Sequence, residues 1–396
     1  MRLKLKIGLL NDSFPPVIDG VANTVKAYAD LLYEQDEPIV ITPKYPRVTD
    51  RYPYEIYRYH SIPTDKLVGY RSGNPFEPHC VTELLNKKFD ILHVHCPFAS
   101  AVLALNLKRL SHNRIPLVFT YHTKFDVDIE KRIPFKGIQK LVIRFVVKNI
   151  SHMDEVWVVS SGAGKNLRSL GYKGAYRIMP NGTDFEKRRS PDESIEKLKQ
   201  KLGVHKDEFF FLFVGRMMWY KNIGLIIDSM KILKEKDIPF KVVMVGNGDD
   251  LYAIQQYVEE SGLEDRFVFA GPVYDREELR AYYSAADLFL FPSTYDTSGL
   301  VVKEAAACSC PSVLIQDSCA AEGVEDGVSG YLCQESAESC ADAIVNATSD
   351  RNALQKVGAQ AAESVYHSWS DAVKDARARY EDIIQQKKQK KRFWRR

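Results

Sequence analysis

Two basic and two acidic residues in the second half of this 396-residue chain have the types and spacing to handle a phosphorylated sugar. Arg216 and Lys221 follow the apolar run FFFLFV and precede a helical pattern that starts near Asn222. A turn between a strand and a helix presents backbone N–H groups, and a guanidinium and an ammonium there add fixed positive charge, which suits a pyrophosphate. A solvated Arg and Lys on a surface loop is the alternative. Asp296 and Glu304 lie eight residues apart, the first in a loop after Phe291 and the second about a turn inside the helix that begins near Leu300. Two such carboxylates can accept hydrogen bonds from two sets of sugar hydroxyls, while the Gly299 and Leu300 amides face phosphate. The spacing alone is a weak signal. Its place at a strand end, with Arg216 and Lys221 upstream, strengthens it.

These residues need a scaffold that ends strands and starts helices at one edge. Short apolar runs, each followed by a helical pattern, recur along the whole chain. Leu5–Leu10, Ile39–Thr42, Ile91–His95, Leu117–Tyr121 and Glu155–Ser160 read as strands in the first half. Phe209–Val214, Lys241–Val245, Phe267–Ala270, Leu288–Phe291 and Ser312–Ile315 do so in the second. Strands alternating with helices predict the α/β class, with parallel sheets wrapped by helices. The polar, turn-rich stretch NGTDFEKRRSPDES over Asn181–Ser194 marks a break. Two Rossmann-like halves joined there would face each other across a cleft, and the carboxyl ends of their strands are where such folds bind ligands. The limits read from sequence are 1–185 for the first domain, 195–368 for the second, 369–386 for a crossover helix packing back, and 387–396 for a basic tail.

Composition narrows the classes. At 45% hydrophobic and 27% charged, the chain has ample material for packed cores. The formal charge of +3 conceals an asymmetry, because KKQKKRFWRR at the end holds seven cations and no acid. Removing those seven leaves the preceding 386 residues at −4, so the body is no basic nucleic-acid binder. Seven scattered cysteines without zinc spacing fit a reducing cytoplasm. MRLKLKIGLL has charge within its apolar stretch and reads as a first strand rather than a signal peptide. No run approaches 18 uninterrupted apolar residues.

The motifs together carry a family resemblance. The C-terminal half resembles the retaining glycosyltransferases of the GT-B fold, family four, in Val214-Gly-Arg216…Lys221-Asn222, Val245-Gly-Asn-Gly248, Phe269-Ala-Gly271-Pro-Val273, Ala286-Asp287…Phe291-Pro292-Ser293 and the loop and helix ending at Glu304. The N-terminal half is similar in Pro15-Pro16…Asp19-Gly20-Val21, Ile91-Leu-His93-Val-His95, Thr120-Tyr-His122-Thr and Pro180-Asn-Gly-Thr-Asp184. The resemblance spans about residues 1–370 and implies the GT-B architecture. It implies that Gly20 lets the backbone approach the donor phosphates, and that Arg216 and Lys221 hold the pyrophosphate as the sugar leaves. Gly271 and Val273 would frame the nucleobase, Glu304 would hold the ribose hydroxyls, and His122 would lie at the reaction centre. Asp296 stands where the family usually has Glu against the donor sugar, one methylene shorter, which leaves the sugar open. Transfer with retention by front-face displacement is implied, with stabilisation of the leaving diphosphate as the main task. No cofactor and no essential metal are expected.

Other motifs are discounted. Asp126-Val-Asp128 has the look of a metal-binding DxD, but it follows the His122 motif of a fold that does not use one. His93 and His95 alternate onto one side of a strand and could mimic a metal pair, yet no third ligand is evident. Gly246 and Gly248 fit a tight turn.

The acceptor is read from charge and from one segment. Lys136, Lys140, Arg144 and Lys148 fall every fourth residue and form a basic stripe beside Leu141, Val142, Phe145 and Val146 on a helix. A scaffold helix with a solvated face is one reading, and a helix lying on an anionic bilayer is the other. The 387–396 tail, with Phe393 and Trp394 interleaved, suits the same surface, or is a disordered solubility tail. Thr120-Tyr-His-Thr-Lys-Phe-Asp also resembles diacylglycerol glucosyltransferases. The expectation is a cytoplasmic enzyme, peripheral on the inner face of the membrane, moving glucose or a similar hexose from a UDP-sugar to a diacylglycerol-type lipid. The alternatives are the same transfer to a soluble or polysaccharide acceptor, a GT-B UDP-sugar epimerase, and a non-catalytic nucleotide-sugar sensor.

Overall fold

The computed structural model describes residues 4–17, 19–64, 71–126, 129 and 133–393, with side chains to 389. The chain divides into two compact units, residues 1–181 with 369–396, and residues 182–368. Each is a parallel sheet flanked by helices, the α/β architecture expected from the alternating pattern.

The first unit contains β1 (Lys6–Leu10), β2 (Glu37–Pro43), β3 (Glu55–Tyr59), β4 (Ser61–Ile62), β5 (Ser72–Gly73), β6 (Ile91–Val94), β7 (Leu117–Tyr121), β8 (Glu155–Val158) and β9 (Arg177–Ile178). Seven of these form one sheet in the order β3-β2-β1-β6-β7-β8-β9, and β4 pairs with β5 separately. The central strands are buried on both faces, so they read as unbroken apolar runs rather than alternating ones. Asp36 and Asp90 accept from the amides of Leu5 and Lys6 and fix the start of β1.

The last helix, Trp369–Phe393, belongs to this unit. Tyr380 is fully buried with its ring stacked 5.5 Å from Trp157, and its hydroxyl lies 2.6 Å from His93 Nδ1. Arg377 grips buried Asp36 at 2.6 and 3.1 Å, and Arg379 meets Glu155 at 2.6 Å. Lys387 then binds Asp154 at 2.8 Å. That last anchor carries the helix past the sequence-read end at residue 386 and takes Lys387 out of the tail. Trp394 and the residues after it lie outside the described residues.

The second unit contains β10 (Phe209–Val214), β11 (Phe240–Val245), β12 (Phe267–Gly271), β13 (Leu288–Phe291), β14 (Ser312–Ile315) and β15 (Tyr331–Cys333). All pairs are parallel, in the order β12-β11-β10-β13-β14-β15. This is the doubly wound arrangement, in which the strand order reverses between β10 and β13. Its core is aromatic, with Phe209, Phe211 and Phe240 stacked in series and Phe213 against Phe291. The helix Ile223–Glu235 buries Ile223, Ile226, Ile227, Met230 and Leu233, the three- and four-residue spacing that lays one helical face on a sheet.

Gly182–Phe185, placed with the first domain by sequence, packs with the second unit. The Thr183 amide donates to His367 O at 2.9 Å, and Phe185 is buried against Tyr283.

Candidate active site

The loops after β10 and β13 flank the point where the strand order of the second unit reverses, the crevice that open α/β sheets use for ligands. The first of them carries Arg216 and Lys221, and the second carries Asp296 and Gly299. Close backbone approach builds the first loop. The Gly215 amide donates to Val245 O and the Met217 amide to Asn247 O, both at 3.0 Å. A Cβ on Gly246 would sit 1.9 Å from Gly215 O, so only glycine fits the turn beside it. A 3-10 turn, Trp219–Lys221, follows, and Asn222 adopts a left-handed conformation before the next helix. Its side-chain amide donates to Pro292 O at 3.0 Å and ties the two loops together.

Within this frame Lys221 Nζ lies 2.7 and 2.8 Å from the two oxygens of Asp296, and Ser293 Oγ donates to the same carboxylate at 2.5 Å. The structure thus joins two of the residues picked from sequence into one ion pair, mostly shielded from solvent. Arg216 is exposed on the same loop and makes no ion pair among the described residues. Gly299 begins the helix Leu300–Ala307 in a left-handed conformation, and no side chain caps that helix. The Val302 amide donates to Gly299 O at 2.9 Å, while the Leu300 amide has no such acceptor among the described residues and is available to an anion. At position 299 a Cβ would come within 2.9 Å of Ala320 Cα.

Glu304 is 9% exposed. Arg276 Nη2 donates to its Oε1 at 2.9 Å, and the Tyr283 hydroxyl donates to its Oε2 at 3.0 Å. Burial pushes the Glu304 carboxyl up from its ordinary value, while the charge of Arg276 and its hydrogen bond pull it back. Arg276 also pairs with Asp184, and its guanidinium lies 4.2 Å over the Phe185 ring. Gly271 closes β12, with Val273 half-buried in the loop beyond it.

In the first unit, Gly20 opens the helix Gly20–Leu32 with nothing within 4 Å of where a side chain would project. Asp19 accepts from the Val21 and Ala22 amides at 2.9 and 2.7 Å, so two first-turn N–H groups already have an anionic partner. His122 follows β7 and is buried, with its Nε2 at 2.9 Å from His95 Nδ1 and the two rings nearly coplanar in orientation. Burial pushes His122 down to about 3 and His95 well below its ordinary value. Both are neutral imidazoles near neutral pH, suited to exchanging hydrogen bonds rather than to carrying charge.

His93, two residues before His95, does something else. Its ring nitrogens meet Tyr380 Oη at 2.6 Å and Thr120 Oγ1 at 2.7 Å, which occupies both and makes it a core histidine. Asp126 accepts from Asn166 at 3.1 Å, and Asp128 lies outside the described residues. Among the described residues no group of three or more His, Cys, Asp or Glu side chains is placed to hold a metal ion.

Residues 18–187 match the family described as Glycosyltransferase Family 4, and residues 194–364 match Glycosyl transferases group 1. The chain is a GT-B glycosyltransferase. Its relatives include the alpha-monoglucosyldiacylglycerol synthase of Streptococcus pneumoniae, 26% identical over 78% of this chain and 70% of that protein. The protein of the same name from Acholeplasma laidlawii is 25% identical over 84% of this chain and 86% of its own length. The N-acetyl-alpha-D-glucosaminyl L-malate synthase of Bacillus anthracis is 28% identical over 72% and 71%. Among solved structures, Anabaena HepE in complex with UDP and glucose superposes with a TM-score of 0.72 at 20% identity, covering 96% of this chain and all of that one. The sucrose-phosphate synthase of Thermosynechococcus elongatus gives 0.74 at 21%, covering 96% and 99%.

Sequence reasoning missed Arg276, Tyr283, Ser293 and the pairing of His95 with His122. Asp275 and Glu278 do announce a helix start, since the Asp275 side chain accepts from the Glu278 amide at 2.7 Å. Nothing in the sequence links that start to Glu304, 28 residues on.

Proposed function

We propose that this glycosyltransferase moves a glucosyl group, with retention, from UDP-glucose to the hydroxyl of a diacylglycerol-type lipid at an anionic membrane surface. On this reading the uncapped Leu300 amide, Lys221 and Arg216 stabilise the diphosphate as the bond to the anomeric carbon breaks. Glu304 holds the ribose hydroxyls, with Gly271 and Val273 framing the base. Asp296 lies against the donor sugar, Gly20 admits the donor phosphates, and His122 meets the sugar or acceptor as a neutral hydrogen-bonding group. The reading needs no cofactor and no metal. Anabaena HepE holds UDP and glucose on the same fold, and two relatives are named for an α-glucosyl lipid product.

The observation that carries the lipid acceptor is the helix Lys136–Ser151, which buries only Val146, Asn149 and Ile150. Phe135, Ile138, Leu141 and Phe145 stand 66%, 48%, 63% and 44% exposed, alongside exposed Lys136, Lys140, Arg144 and Lys148. A scaffold helix would leave polar residues, rather than four large apolar ones, facing water. Apolar side chains flanked by cations match the acyl and headgroup layers of an anionic bilayer. Among the described residues no helix is long and apolar enough to cross a membrane.

The test supplies UDP-glucose with diacylglycerol in anionic vesicles and reads the product by mass and its linkage by NMR. An α-glucosyl lipid is expected. Product on a soluble acceptor alone would refute the lipid reading and favour the second one, transfer to a small hydroxylated acid, for which the malate synthase relative speaks. UDP released only when an acceptor is present excludes an epimerase. Cosedimentation with the same vesicles should weaken when Leu141 and Phe145 become Ser. A truncation of the tail belongs after Lys387, because that residue anchors the last helix.

A further inference from the structure

Glu304 is a nearly buried carboxylate whose fixed partners leave it half used. An ionised carboxylate offers about four acceptor positions, two on each oxygen. Arg276 fills one on Oε1 and Tyr283 fills one on Oε2. One position remains on each oxygen, which matches two neighbouring hydroxyls of a ribose. Arg276 itself is held from two other directions, by Asp184 and by the face of Phe185, which also packs edge-on to Tyr283 at 5.7 Å. One charged and one aromatic side chain therefore hold the guanidinium, and the guanidinium in turn holds one oxygen of Glu304.

We propose that Arg276 is a positioning residue of the nucleotide site, bracing the Glu304 carboxylate as the acceptor for the ribose hydroxyls. This rests on the reading of Glu304 given above. The groups facing Glu304 are Arg276, Asp184, Tyr283 and Cys308. Burial keeps Tyr283 protonated and pushes the Cys308 thiol up to about 11, so both are neutral in the working range. Asp184 adds negative charge. Arg276 is thus the cation that favours the ionised form of a carboxyl whose burial favours the neutral one. Without it, protonation of Glu304 moves to higher pH and removes an acceptor for ribose, so nucleotide affinity falls as pH falls.

The experiment titrates the full chain with UDP and with 2′-deoxy-UDP by calorimetry at about pH 8 and about pH 6, two values that bracket neutrality. One hydrogen bond to a charged group is worth about tenfold or more in affinity, so the wild type should prefer UDP by that factor at both pH values. Arg276→Gln should lose the preference at the lower pH and keep part of it at the higher. Arg276→Lys, which retains the charge without the fork, should give an intermediate ratio and decides the matter if the Gln variant melts. A purely structural role would weaken both nucleotides equally and leave their ratio alone. A wild-type preference that persists unchanged in Arg276→Gln at both pH values overturns the proposal while sparing the role of Glu304. A wild type that cannot tell the two nucleotides apart overturns both.

Discussion

Lys221 gives the sharpest test of the donor site, because the structure says what it must leave in order to act. Its ammonium spends its nearest contacts on Asp296, at 2.7 and 2.8 Å, and has three N–H donors to divide between that carboxylate and a phosphate. A hydrogen bond from a charged donor is worth about 1.5–3 kcal/mol, which is about 10- to 150-fold in a rate or equilibrium constant. Lys221→Ala should therefore lower kcat/KM by about that factor, with most of the loss in kcat if the contact strengthens as the diphosphate leaves. Asp296→Asn separates two roles for the carboxylate. If Asp296 only occupies Lys221, the Asn variant binds UDP more tightly, since the ammonium is released to phosphate. If Asp296 also meets the sugar, kcat falls while UDP affinity holds or rises. The assay is steady-state transfer with UDP product inhibition, run on both single variants and the double one. The pair touches, so the effects should be non-additive. A Lys221→Ala enzyme within twofold of wild type would refute the assignment.

Arg216→Ala should cut transfer at least tenfold with little change in thermal stability, since the side chain is exposed; near-wild-type turnover would remove Arg216 from the site. Transfer should proceed undiminished after EDTA treatment and dialysis, and a loss restored by one divalent cation would overturn the metal-free reading. The carboxyls of Asp154 and Glu155 lie below their ordinary values despite burial, held there by Lys387 and by Arg379. A depressed carboxyl contributes stability that is complete above its unfolded value, about 4, and is lost as pH falls through its folded one. Hydrogen exchange should accordingly report loosening of Trp369–Phe393 only in acid, below about pH 4, and loosening already near neutral pH would contradict these anchors.

The central strands were legible because burial on both faces writes itself as a run of apolar residues. Phe209–Val214, Leu117–Tyr121, Leu288–Phe291 and Ser312–Ile315 agree with the structure to the residue. The strands missed lie at or near the sheet edges. Glu55–Tyr59 reads EIYRY, with charged residues on a half-solvated rim, while Arg177–Ile178 and Tyr331–Cys333 are too short to show a period. The Lys221–Asp296 pairing was within reach of the sequence because each residue sits in a loop next to a strand end. Contacts were illegible where a helix reaches across to another element, as Arg276 does to Glu304 in the candidate site or Tyr380 to His93 in the core. Such contacts depend on how elements pack, and local pattern carries no trace of them.

The return of the last helix to the first unit has a consequence for synthesis on the ribosome. Residues 182–368 are contiguous, so the second unit holds everything it needs once Ser368 has emerged. The first unit does not. Asp36 waits for Arg377, and His93 and Trp157 wait for Tyr380. At about 5–20 residues per second, the gap between residue 181 and residue 393 lasts on the order of 10–40 s. Through that interval a carboxylate destined for burial lacks its cation and an indole face lacks its cover. The nascent first unit therefore presents to chaperones the very patch that Trp369–Phe393 later seals, and its native state can be reached only after the second unit has been made.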